Sequence, residues 1–150
     1  MADLEASIST TDADFVVKVI EVCPAYAGYN DVDIYGEEDP VNPYPMGGYQ
    51  MLVRAEIMRG KFRNSVEKPE PFISGKITEL KWELPDVAHT FLKGHRIMVQ
   101  IQCSWFPLAD RNPQKFTDIY KAIQSDFQKS NIRIYHDKDH PSKITLPVLE

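Results

Sequence analysis

Two runs between Leu80 and Asn112 alternate apolar and polar residues. Leu80, Trp82 and Leu84 interleave with Glu79, Lys81 and Glu83. Ile97, Val99, Ile101, Cys103 and Trp105 interleave with Arg96, Gln100, Gln102 and Ser104, with Met98 the exception. A period of two belongs to a strand with one face in a core. Lys93-Gly94 supplies a turn between the runs, and Pro85 ends the first because it has no N–H to give a ladder. Strands are therefore expected over 75–84 and 96–105.

The same patterning extends along the chain. Leu4, Ala6 and Ile8 mark a strand from Leu4 to Ser9, and the polar residues Thr10 to Asp14 a turn. Phe15–Cys23 is almost continuously apolar, broken only by Lys18 and Glu21. Such a strand is covered on both faces and central in its sheet. Residues 25–48, rich in Asp, Glu, Pro, Tyr and Gly, form a long loop, and loops of that length are usually functional or packed on a partner. Met51, Val53, Ala55 and Ile57 give a strand over 49–57. Arg59 to Pro71 reads as a surface crossing. Phe116, Ile119, Tyr120, Ile123 and Phe127 have helical spacing, so one short helix is expected within 115–129. Ile132 and Ile134, then Ile144, Leu146 and Val148, give the last strands. Seven or eight strands with one short helix predict an all-β, two-sheet sandwich. The length suits one domain over residues 1–150. The first strand starts almost at Met1, which suggests a piece of a longer protein cut before or inside a strand.

Charge and cysteines narrow the partners. A net charge of −5 without a Lys/Arg cluster argues against nucleic acid. No apolar run approaches the ~18 residues of a bilayer span, and Met1 does not open a signal peptide, so no membrane partner is expected. Cys23 and Cys103 both lie in expected strands and read as buried free thiols, which leaves the compartment open.

Several constellations invite chemistry. Asp31, Asp33 and Gly36 match positions one, three and six of a calcium loop, but Tyr35 and Asn42 do not suit positions five and twelve, so a solvated acidic loop is favoured. His136 and His140 have a zinc-like helical spacing, yet they lead into Pro141 between strands and read as loop histidines. Ser104, Asp110 and His136 follow the chain order of a hydrolase triad. However, no serine sits in the Gly-x-Ser-x-Gly elbow that would expose a nucleophile. Trp82, Trp105 and Phe106 could stack on a sugar, but both tryptophans fall in inward phase. No catalytic residue, cofactor or metal ligand is assigned.

The run LPDVAHTFLKGHRIMVQIQCSWFPLADRNPQ resembles the C-terminal domain of one serine-hydrolase family. So do STTDADFVVKVIEVCP, GGYQMLVRAEIMRGKFRNS and HPSKITLPVL. That family includes X-Pro dipeptidyl peptidases, cocaine esterase, α-amino acid ester hydrolases and glutaryl (cephalosporin) acylases. The most telling blocks are Thr11–Phe15, Lys93–Arg96 and Trp105–Asn112. The resemblance implies a jelly-roll, galactose-binding-like sandwich that follows an α/β-hydrolase domain and a helical cap, with the nucleophile, acid and base in the absent catalytic part. Relative to that pattern the first strands of the sandwich are missing.

The expected role is thus a non-catalytic domain that packs on a catalytic α/β-hydrolase domain and helps shape its substrate cleft. The parent would be a serine hydrolase acting on an ester or amide through an acyl-enzyme. Phe106, Pro107, Arg111 and Asn112 are expected to face the catalytic domain or its cleft, with Asp14, Gly94, His95 and Arg96 as structural anchors. The competing reading is a carbohydrate- or other ligand-binding module. Self-association and the parent's substrate and location are left open.

Overall fold

A computed structural model describes residues 1–25 and 47–149. The acidic loop, with Asp31, Asp33 and Gly36, lies outside the described residues. Seven strands occur among those described: β1 (Ala2–Ile8), β2 (Asp14–Val22), β3 (Gln50–Arg59), β4 (Thr78–Trp82), β5 (Arg96–Gln102), β6 (Ile132–Tyr135) and β7 (Lys143–Ile144). They form two sheets, one ordered β4-β1-β6 with β7 also on β1, the other ordered β3-β2-β5. The architecture is an all-β sandwich.

The chain divides into two compact units. The first comprises Met1–Val17, Glu56–Pro85 and Ile101–Glu150, the second Lys18–Ala55 and Asp86–Gln100.

In the first unit, β1 is the middle strand of its sheet. Antiparallel register places Leu4 opposite Leu80, Ala6 opposite Ile134 and Ile8 opposite Ile132. These residues point inward and meet Phe15, Val17, Phe72 and Trp82, with Met58, Ile101 and Ile144 packed around them. Each large side chain buried here stabilises the fold by roughly 1.5–3 kcal/mol. Alternation sends Asp3, Glu5 and Ser7 to the opposite face, where Asp3 pairs with Lys81 at 3.8 Å and Lys143 at 3.5 Å. Gly60 closes the core's edge: its N–H donates to the Ala13 carbonyl at 2.9 Å, and a Cβ there would lie 2.6 Å from both that oxygen and the Phe72 ring. The 60–71 crossing runs along the surface, exposed from Val66 to Pro71, and is anchored at its start, where Gly60 and Lys61 are buried. Arg63 ties it down by donating to the carbonyls of Gly60, Glu70 and Pro71 and stacking 4.3 Å above Phe72.

β2 is central and almost wholly buried, as its apolar run implies. Its antiparallel pairing with β3 is framed by Gly60 N–H on Ala13 in the first unit and Cys23 N–H on Tyr49 in the second.

Three expectations change. The helical spacing over 115–129 is realised as two single 3-10 turns, Ile119–Lys121 and Gln124–Asp126. Tyr120 is 84% and Ile123 64% exposed, with Ile119 and Phe127 only half-buried, so the stripe buries too little to sustain an α-helix. β5 ends at Gln102, which leaves Cys103 exposed at a bend while Cys23 is buried; both thiols are free. The odd face of β5 is also more open than its polarity suggests, because Ile97 and Val99 are exposed and only Ile101 reaches the core.

Candidate docking surface

In the first unit a buried polar knot positions the loop that follows β5. The turn Thr10–Ala13 carries Asp12, β2 opens with Asp14, and both carboxylates lie in the interior. Asp12 and Asp14 are 0% and 1% exposed. Asp14 Oδ1 accepts from Asn112 Nδ2 at 2.8 Å and lies 3.4 Å from Arg59 Nε at the end of β3. Arg59 also donates to the Asp110 carbonyl at 3.3 Å, and Asn112 Oδ1 accepts from Gln114 N–H at 2.8 Å. Thr11 Oγ1 accepts from Phe116 N–H at 2.9 Å, and Lys61 Nζ donates to the Thr117 carbonyl at 2.8 Å. Loop backbone is thereby fastened to three separate elements.

Burial pushes both Asp12 and Asp14 carboxyls above their ordinary value. The Asn112 amide opposes this at both, and the Arg59 and Lys61 charges oppose it at Asp14. Asp12 Oδ1 accepts from the Ala13 N–H at 2.9 Å, while its Oδ2 is buried with no partner among the described residues.

What the knot presents is apolar. Phe106 and Leu108 are 65% and 72% exposed on the loop, whose Phe106–Pro107 bond is cis. Ala109 N–H closes it on the Trp105 carbonyl at 3.0 Å, and Arg111 lies 5.1 Å over the Phe127 ring. Arg59, Lys61, Phe62, Pro69, Phe116 and Tyr120 line a groove of about 550 Å³. Of the residues expected to face a catalytic domain, the structure places Phe106, Pro107 and Arg111 at the surface and Asn112 in the interior.

In the second unit, Glu21 is the polar residue inside the apolar run of β2, and it is 1% exposed. Its carboxylate meets His89 Nε2 and His95 Nδ1, each at 2.7 Å, and accepts from Leu92 N–H at 2.9 Å. Burial alone would raise its pKa, but the Leu92 N–H and the two imidazoles together hold it below the ordinary value. Gly94, at φ 87°, makes the turn in which His95 N–H bonds the Leu92 carbonyl at 3.1 Å. A positive φ at the third residue of a turn favours glycine. Arg96 is exposed and pairs with no carboxylate among the described residues.

The hydrolase-order residues are held in other ways. Ser104 Oγ accepts from Phe106 N–H at 3.4 Å, and His136 sits in a bridge with Pro141. His140 Nδ1 lies 3.3 Å from Asp137 Oδ1. Asp12, Glu21, Arg59 and His89 were not singled out from sequence. The one signal was a charge interrupting an apolar strand, which marks Glu21.

Residues 1–145 match the X-Pro dipeptidyl-peptidase C-terminal non-catalytic domain. The chain belongs to that family. It is 28% identical to cocaine esterase of Rhodococcus sp. (strain MB1 Bresler) across 99% of its own length and 22% of that protein. Among solved structures it is similar to an aminopeptidase from a marine sediment archaeon, Thaumarchaeota archaeon, with 43% identity and a TM-score of 0.79 over 94% of this chain and 21% of that one. An α-amino acid ester hydrolase is similar too, with 38% identity and a TM-score of 0.77 over 95% of this chain and 22% of that one. The chain therefore spans about a fifth of the length of the relatives it matches.

Proposed function

We propose that this non-catalytic domain packs on an α/β-hydrolase catalytic domain and walls one side of its substrate cleft, in a serine hydrolase that cleaves an ester or amide. The loop from Phe106 to Asn112 supplies the contact. Phe106, Pro107 and Arg111 reach the partner, and Asn112 holds the loop from beneath. The observation that carries this reading is the pairing of exposed Phe106 and Leu108 with the buried Asp14–Asn112–Arg59 knot. Large apolar side chains on a rigidly supported loop suit a permanent interface. The family match and the hydrolase relatives support the class of partner.

The test has two arms. The 150-residue chain is incubated alone with a p-nitrophenyl ester, an X-Pro chromogenic amide and a serine-directed covalent probe; neither turnover nor labelling is expected. It is then mixed with the catalytic portion of a parent hydrolase, and complex formation is followed by analytical ultracentrifugation. Labelling of the chain alone, or no complex at tens of micromolar, would defeat the proposal.

A further inference from the structure

We propose that a second, polar groove at the end of β1 binds a small sugar carrying an oxyanion, such as a sugar phosphate or sugar acid. The groove encloses about 270 Å³ in the first unit and is lined by Ser7, Ser9, Ser74, Asn131, Arg133 and Tyr135. Sheet register builds it: Ser7 is directly opposite Arg133, and Tyr135 lies on the same outward face, two residues along β6. Ser7 is only 5% exposed and forms part of the wall rather than the rim.

Counting donors identifies the ligand. Ser74 Oγ spends its proton on the Ser9 carbonyl at 2.9 Å. Ser9 Oγ accepts from Asn131 N–H at 2.9 Å, which leaves its own O–H to give. Ser7 Oγ and Tyr135 Oη are 3.0 Å apart and share one proton between them, so one further O–H remains. Arg133 is exposed, and its guanidinium makes no hydrogen bond or ion pair with any described residue. Two hydroxyl donors and a five-donor fork thus border a space that no carboxylate lines, beside the Asn131 amide, which both donates and accepts. Glu5, the acidic residue nearest along β1 on that face, lies opposite Tyr135 and Glu79 and does not line the groove. A surplus of donors around a guanidinium suits an oxyanion, bound through charge-assisted bonds. The space exceeds a bare phosphate, and the hydroxyls suit the rest of a polyol.

This inference rests on the groove alone and not on docking to a catalytic domain. The test is an amide-resolved NMR titration of the 150-residue chain at constant ionic strength with glucose 6-phosphate, glucuronate, inorganic phosphate and glucose. Saturable shifts confined to residues 7–9, 74–75 and 131–135 are expected with the two charged sugars, weaker ones with phosphate, and none with glucose. R133Q, at an exposed position, should retain the fold and weaken glucose 6-phosphate at least about tenfold. S7A should weaken it less. Undiminished binding by R133Q, equal affinity for phosphate and glucose 6-phosphate, or shifts spread beyond the groove would overturn the proposal.

Discussion

Asn112 donates its side-chain N–H to Asp14 Oδ1 at 2.8 Å across a sequence separation of 98, and both residues are buried. Asp14 opens β2, while Asn112 closes the loop that carries Phe106. The bond therefore makes the position of an exposed loop a property of the interior. N112A should lower stability by about 1.5–3 kcal/mol, since it removes a hydrogen bond to a buried charged group and leaves that charge less satisfied. Urea denaturation measures this, and a midpoint equal to wild type would show that the bond contributes nothing.

Surface changes on the same loop should act in the opposite manner. F106A and L108A remove side chains that are mostly in solvent, so chain stability should move by no more than about 0.5 kcal/mol. Affinity for the catalytic portion should fall by about 2 kcal/mol or more if these residues anchor the interface. Denaturation and sedimentation of the same variants separate the two effects.

Glu21 organises the segment before β5 through four groups: its own carboxylate, His89, His95 and the Leu92 N–H. E21A removes the acceptor of the Leu92 N–H, the carboxylate bonded to His89 and the charge facing His95, and a loss of about 2–4 kcal/mol is expected. Hydrogen exchange at the Leu92 amide should accelerate beyond the global change. Unchanged protection there would mean that the segment is held by other contacts.

Acid should act on the two carboxylate sites with opposite sign. Glu21 is depressed when folded, so its contribution is present above its ordinary value near 4.5 and is lost as pH falls through the lower folded value. Asp12 and Asp14 are raised, so their charged forms oppose folding above their folded values, and this opposition is relieved as pH falls toward 3.8. E21Q should therefore cost stability at pH 7 and progressively less below pH 4.5. D12N should be at least as stable as wild type at pH 7 and lose that advantage in acid. Melting temperatures between pH 3 and 8 test both, and parallel curves for the three proteins would refute the assignment.

Trp82 is 8% exposed, and its indole N–H is buried without an acceptor among the described residues. W82F removes that unsatisfied donor and most of the ring system stays, so stability should change by no more than about 1.5 kcal/mol. W82A should cost about 3–5 kcal/mol through the cavity it leaves. Equal losses in the two variants would show that the indole has a partner.

Most strands were legible because one face of each is buried and alternation reports that directly. Leu80 and Trp82 are the clearest cases. Alternation does not report how far along a strand the cover extends, which is why Ile97 and Val99 proved exposed. Spacings of three and four did not make a helix near Tyr120, since Tyr120 and Ile123 stay in solvent and the stripe has no continuous cover. Asp14 and Asn112 were marked separately, one as an anchor and one as a surface contact. Their pairing arises from long-range topology that no local pattern encodes. The same holds for Arg133 opposite Ser7.

β1 lies between β4 on one edge and β6 with β7 on the other, and Glu5 N–H bonds Ser142 Oγ across a separation of 137 residues. On a ribosome moving at roughly 5–20 residues per second, that partner follows β1 by about 7–27 seconds. Leu4 and Ile8 therefore spend most of that interval without their neighbours on one edge. Pairings this distant form late and slowly. The nascent chain is exposed to strand-edge association during synthesis, so the yield of soluble protein should respond to translation speed and to chaperones as strongly as to the stability of the finished fold.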